Sequence, residues 1–324
     1  MNIAPRKNFR ASTGHTYNYY SSAHADKTTI LFIHGFPYTA NIWRKHVAYF
    51  ETRGFGCVVP DLLGLGQTDK PHSPEDYCPK TSAQSLAEIL QYEEVQDTVV
   101  VGHDWGSQIA SRFALFHPER TLALVLVAVP YYPPGSFDLD TVNNQTEQAF
   151  GHSIFGYWYT FVNETNLLED HMESFFSLFF AKDPQYWTRN FMPRGALKTW
   201  LENDQKCEIG EYVTDLERTE FFANDWKAAI QYYQCYMENL PWKVEQELPR
   251  DKFVLEIPSL MISATDDACA PLPVVESTLP SFKNVQHFPL KGGHHGFLEQ
   301  LNETNQAILS LLQQNSIFAQ KRGL

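Results

Sequence analysis

The stretch Thr98-Val-Val-Val-Gly102-His103-Asp104-Trp105-Gly106 is a short β-branched run that meets a corner and then the helical pattern Ser107 to His117, closed by Pro118. Glycines on both sides of the corner let the chain turn where Cβ atoms would collide. They lift the central side chain above a strand end, beside the N–H groups of a helix N-terminus. This is the layout of a nucleophile elbow, with Asp104 at its apex. The pattern Gly-x-Ser-x-Gly occurs nowhere in the chain, so a serine acyl-enzyme has no nucleophile. A carboxylate in that place points instead to attack on an alkyl carbon.

Working outward, the runs 28–33, 56–60 and 122–129 are continuously apolar, which suits strands buried on both faces of a sheet. Pro79 to Glu94 has helical spacing between two of them, and this alternation predicts an α/β fold with a mostly parallel central sheet flanked by helices. After Pro130 the pattern changes: aromatic clusters such as 155–161, 175–180 and 231–236 replace β-branched strands. We read this part as an inserted helical cap whose rings mostly fill its own core. Strands resume at 259–264 and 284–290, and a helix closes the chain over 302–314. The expected organisation is therefore a core made of residues 1–130 and 250–324, with a cap over 131–249.

Composition narrows the function classes. The chain has 324 residues, 43% apolar and 19% charged, so a packed globular protein is expected and disorder is not. A net charge of −13 offers no basic face for nucleic acid. The longest strongly apolar run, Leu122 to Val129, is far short of the roughly 20 residues that span a bilayer. Five cysteines, odd in number and without Cys-x-x-Cys spacing, point away from a disulfide framework or a zinc site. The first residues lack the apolar stretch of a signal peptide, so the cytoplasm is the expected location, and the sequons at Asn144, Asn163 and Asn302 are read as chance.

The remaining candidates lie beyond strand ends. In His34-Gly35-Phe36-Pro37 a glycine turns the backbone over the sheet edge, so the N–H of Phe36 can join that of Trp105 in an oxyanion hole, worth about 3 to 4 kcal/mol per donor. The Phe36-Pro37 bond is a candidate for the cis form. His34 precedes the turn and is read as a loop brace. An acid and then a histidine should follow the nucleophile in the chain. Thr265-Asp266-Asp267 and Gly292-Gly293-His294-His295-Gly296 supply two of each, and spacing does not select between neighbours.

His34-Gly35-Phe36-Pro37, the loop Asp61-Leu-Leu-Gly-Leu-Gly-Gln-Thr-Asp-Lys-Pro71, Gly102-His103-Asp104-Trp105-Gly106 and Gly293-His294 together resemble the α/β-hydrolase-fold epoxide hydrolases. Over nearly its whole length the chain is similar to the hydrolase portion of the soluble epoxide hydrolases, without the N-terminal phosphatase domain of the vertebrate members. The resemblance implies Asp104 as nucleophile, Asp267 rather than Asp266 as acid, and His294 rather than His295 as base. It implies two ring-opening tyrosines in the cap: Tyr157 in Phe155-Gly156-Tyr157, with Tyr159 as its rival, and Tyr233, with Tyr232 and Tyr236 as rivals. It implies substrate contacts from Trp105, Phe36 and Pro37, an epoxide and water as partners, and no metal or cofactor. A homodimer through the cap is compatible with the sequence but not encoded by it. Two alternatives are a dehalogenase using the same triad and a ligand receptor without turnover. Haloalkane dehalogenases typically carry Asn where this chain has Phe36, or later in the body, and fluoroacetate dehalogenases typically carry Arg where it has Trp105.

Overall fold

The apolar runs become the middle of one eight-stranded sheet. The computed structural model describes residues 3–319. Its strands are β1 (Arg6–Arg10), β2 (Thr16–Ser21), β3 (Thr29–Ile33), β4 (Gly56–Pro60), β5 (Thr98–His103), β6 (Thr121–Val127), β7 (Ser259–Ala264) and β8 (Val285–Leu290). Their order is β1-β2-β4-β3-β5-β6-β7-β8, parallel from β4 through β8 and antiparallel at the β1/β2 and β2/β4 pairs. Every side chain of β3, β4, β5 and β7 is buried, because helices cover both faces of a parallel sheet.

The first two strands precede the apolar runs read from the sequence. β1 and β2 form a hairpin at the sheet edge with Arg6 opposite Tyr20 and Arg10 opposite Thr16. Only Tyr17 and Tyr19 of β2 turn inward, so no apolar run marks the pair. β6 stops at Val127 because Ala128 takes a φ of +65°, a conformation that breaks the pleat.

The chain steps from β3 to β4 on one side and crosses to β5 on the other. The carboxyl ends of β3 and β5 thus flank the point where the winding reverses, which is where open α/β sheets form their crevice. Between β6 and β7 the chain runs through short helices from Leu139 to Glu245, including a π-helical turn at Trp187–Phe191. Among the described residues this segment has no strand, only an isolated bridge between Ala181 and Ile209.

A buried ion pair fastens the end of that segment to the sheet. The Arg112 guanidinium, on the helix Trp105–Phe116, meets Glu245 in a two-pronged contact of 2.8 and 2.9 Å, and both side chains are buried. Arg112 also donates to the carbonyl of Tyr132. Glu245→Ala leaves an uncompensated cation inside the protein, at a cost of about 3–5 kcal/mol. Thermal unfolding of this variant is expected roughly 6–15 °C below the wild type, and an unchanged midpoint would show that water reaches Arg112.

Candidate active site

Asp104 sits between β5 and the helix Trp105–Phe116 with φ +55° and ψ −123°, a strained conformation costing on the order of 1–3 kcal/mol. The flanking glycines permit it by close approach: a Cβ on Gly106 would overlap the Ile33 carbonyl, and one on Gly102 the Gly106 carbonyl. The loop after β3 brings the N–H of Phe36 to Asp104 Oδ1 at 2.8 Å. The Trp105 N–H also stabilises this carboxylate. Burial raises the Asp104 pKa, and the pull of His294 with the two N–H groups only partly offsets it.

His34 braces this loop. Its Nε2 accepts from the Leu62 N–H at 2.8 Å and its Nδ1 faces the Gly35 carbonyl at 2.9 Å. Burial lowers its pKa to about 4, so it is neutral. The Phe36-Pro37 bond is cis. Asp61, which opens the loop 61–71, accepts from the N–H groups of Ala40 and Gln67 and pairs with Arg6 at 2.9 Å, a scaffolding part.

Beyond β7 and β8 the structure separates the paired candidates. Asp267 Oδ2 lies 2.8 Å from His294 Nδ1, and Asp267 Oδ1 accepts from the N–H groups of Cys269 and Ala270. Burial works to raise the Asp267 pKa, but His294 and those N–H groups outweigh it and lower it. Burial works against the His294 imidazolium, but Asp267, by hydrogen bond and charge, together with Asp104, raises its pKa. His294 Nε2 faces Asp104 Oδ2 at 3.7 Å, too far for a direct hydrogen bond.

The neighbours are placed elsewhere. Asp266 is exposed and accepts from the Thr265 hydroxyl. His295 lies 2.7 Å from the Tyr38 hydroxyl and 3.0 Å from the Phe179 carbonyl, and burial lowers its pKa to about 3. It ties the histidine loop to the helical segment above.

Tyr157 and Tyr233 face each other with ring centres 5.9 Å apart. Both are buried, and burial with the charge of Asp104 holds both pKa values well above the usual phenol range, so each keeps its proton. The rivals have other partners: Tyr159 donates to Asp140, Tyr232 to the Leu63 carbonyl at 3.0 Å, and Tyr236 to Gln108 Oε1 at 3.3 Å.

A cavity of about 360 Å³ opens on Asp104, Trp105 and Tyr157, with Phe137, Phe155 and Trp158 among its apolar walls. Phe36 and Pro37 do not line it. The Phe36 ring is occupied by Phe161, Tyr233, Trp226 and Phe179, at centroid distances of 5.2 to 6.3 Å. Tyr233 lies outside the lining as well, edge-on to Trp105. Among the lining residues that the sequence reading did not name as contributors are Gln108, Tyr236 and Cys269, whose Sγ lies 3.9 Å from the Tyr157 hydroxyl. Gln108 is four residues after Asp104 and Tyr236 three after Tyr233, spacings that put each on its neighbour's side of a helix. Cys269 carries no such signal beyond following Asp267.

Residues 28–301 match a family model described as alpha/beta hydrolase fold. The chain is similar to Epoxide hydrolase 2 of Siraitia grosvenorii, 37% identical over 102 residues, 32% of this chain and 32% of that protein. The matched stretch thus spans about a third of that relative's length. It is also similar to an epoxide hydrolase of Caballeronia sordidicola, 25% identical over 228 residues, 66% of this chain and 67% of that protein. Among solved structures, an epoxide hydrolase from an endophytic Streptomyces superposes with a TM-score of 0.81 at 20% identity, covering 98% of each chain. That likeness is one of fold.

Proposed function

Because the chain belongs to the alpha/beta hydrolase fold family, we propose that it is an epoxide hydrolase converting an apolar epoxide and water to a vicinal diol through an aspartyl ester. The observation that carries this reading is the unequal environment of the two Asp104 oxygens. Oδ1 is held by the Phe36 N–H at 2.8 Å, while Oδ2 faces His294 Nε2 across 3.7 Å.

Oδ2 attacks an epoxide carbon as that carbon's bond to the ring oxygen breaks, and Tyr157 with Tyr233 donates a proton to the departing oxygen. Oδ1 thereby becomes the ester carbonyl oxygen, already against the N–H of Phe36. Water then attacks the ester carbon while His294, oriented by Asp267, takes its proton, and the oxyanion forms against the N–H groups of Phe36 and Trp105. Collapse breaks the bond between the ester carbon and Oδ2, the departing alkoxide takes the proton held by His294, and the Asp104 carboxyl proton returns to the tyrosinate, which releases the diol and restores the starting enzyme. Residues 1–130 and 250–324 would supply nucleophile, base and acid, and the cap over 131–249 the tyrosines and apolar walls.

The tyrosines favour epoxide over halide, since a leaving halide needs no proton. Replacing both, Tyr157→Phe with Tyr233→Phe, is expected to lower epoxide turnover by about a hundred- to ten-thousand-fold with the fold intact by circular dichroism. Undiminished turnover would remove the tyrosines from the mechanism. The reading as a whole is tested with styrene oxide and 1-bromobutane, following diol and bromide. Diol alone supports it, and bromide alone makes the protein a dehalogenase. Binding of both without product would make it a receptor. Five cysteines without a disulfide suit a reducing compartment, and the cytoplasm is the proposed location. No helix among the described residues is long and apolar enough to cross a membrane.

A further inference from the structure

We propose, on the epoxide reading above, that the site takes terminal epoxides carrying a single uncharged apolar substituent. The reacting carboxylate lines a cavity whose walls leave out His294, Trp187 and Phe191. From Asp104 the cavity runs past Trp105 and Trp158 toward the exposed residues Gly135, Ser136 and Gln145, so one substituent has an apolar channel leading to solvent.

On the other side of the triad the space is filled. Trp187 lies against the His294 ring with centres 5.1 Å apart and angled by 29°. Phe191 stacks on Tyr157 at 4.7 Å, and Phe161 packs on Tyr157 at 5.1 Å and on Phe36 at 5.2 Å. The π-helical turn Trp187–Phe191 supplies two of these rings. Such turns recur at functional sites. The wall is also pinned: the Trp187 indole N–H donates to the carbonyls of Leu178 and Phe179 at 3.0 and 3.1 Å. A second cavity that touches the triad, between His294, Trp187 and Tyr212, holds only about 50 Å³. That is room for water, of which one molecule needs about 10–15 Å³ on this measure. It has no room for an alkyl arm.

The charge preference follows from Arg112. It lines the substituent's channel, but both prongs of its guanidinium are bound to Glu245. A carboxylate at the far end of a substrate would therefore have to compete with a buried partner already in place.

The test uses the purified full chain and three substrates with eight-carbon chains, with diol measured by chromatography. They are 1,2-epoxyoctane, trans-4,5-epoxyoctane and 7,8-epoxyoctanoate. The terminal epoxide is expected to exceed the internal one in kcat/KM by at least about a hundredfold, since a single misplaced methylene already costs about 10- to 200-fold. It should exceed the carboxylate by at least about tenfold. Phe191→Ala should narrow the terminal-to-internal ratio by about tenfold or more by opening the wall. Should that variant not fold, the wild-type ratio decides alone. Equal rates on terminal and internal epoxides would overturn the one-armed site while leaving epoxide hydrolysis standing. Equal rates with the carboxylate would overturn the charge preference. Diol from none of the three, and none from styrene oxide, would overturn the underlying reading and this inference with it.

Discussion

Asp104→Ala is expected to abolish turnover, with kcat/KM down by at least about ten-thousand-fold, the scale on which enzymes lose rate when a covalent nucleophile is removed. The loss should come without unfolding, because alanine relieves none of the packing around β5 and removes only a carboxylate that burial already disfavours. The same residue permits a more discriminating measurement. With enzyme in excess over epoxide in ¹⁸O-labelled water, the first diol released should be unlabelled, because its new oxygen is Oδ2 of Asp104. The label should appear in the peptide containing Asp104 and reach the diol only in later turnovers. Label in the first diol would mean that water attacks the epoxide directly and Asp104 serves as a base.

His294→Gln is expected to divide the reaction in two. Asp104 and the tyrosines remain, so the ester forms, but the attacking water has lost its base, a loss of about a hundred- to ten-thousand-fold in the second step. Intact mass spectrometry after exposure to epoxide should find the protein heavier by one substrate, with the added mass on Asp104. No adduct, with turnover also lost, would place His294 in the first step. The pH profile gives an independent sign. His294 must be neutral to accept a proton, and Asp267 raises its pKa above the usual imidazole value of about 6.5. Wild-type turnover should therefore climb as pH rises through that raised value and then level off. In the glutamine variant the remaining slow ester hydrolysis should lack that limb.

The parallel sheet was legible because its strands carry a one-dimensional mark. Buried on both faces, 29–33, 56–60 and 98–102 read as short β-branched runs. The β1/β2 hairpin carries no such mark, since Arg6, Lys7, Asn8 and Asn18 give this edge pair the composition of a loop. Adjacent candidates show another limit. Residues next to each other in sequence, such as His294 and His295, differ only in which way the turn after β8 aims them. Resemblance to a family named His294 where spacing had no means to choose. The cavity was legible only at Asp104, Trp105 and Tyr157. Its other walls come from rings far apart in the chain, such as Phe137, Trp158 and Tyr236, and whether Phe36 borders substrate or other rings depends on how Phe161, Phe179 and Trp226 pack around it.

The helical segment leaves the sheet at the end of β6 and returns at the start of β7, and these strands are immediate neighbours, with Leu124 opposite Ser259. Neighbouring strands lie about 4.8 Å apart and these two run parallel, so the segment behaves as a graft between adjacent strands, leaving at the carboxyl edge of the sheet and rejoining from the amino edge. Closing a loop of that size costs only slowly more as it lengthens, about 0.6 kcal/mol for each doubling. Residues can therefore be added to or removed from the graft with little effect on the sheet that aligns nucleophile, acid and base. Across descendants of such a gene that keep Tyr157 and Tyr233, substrate preference can drift while the chemistry stays in place.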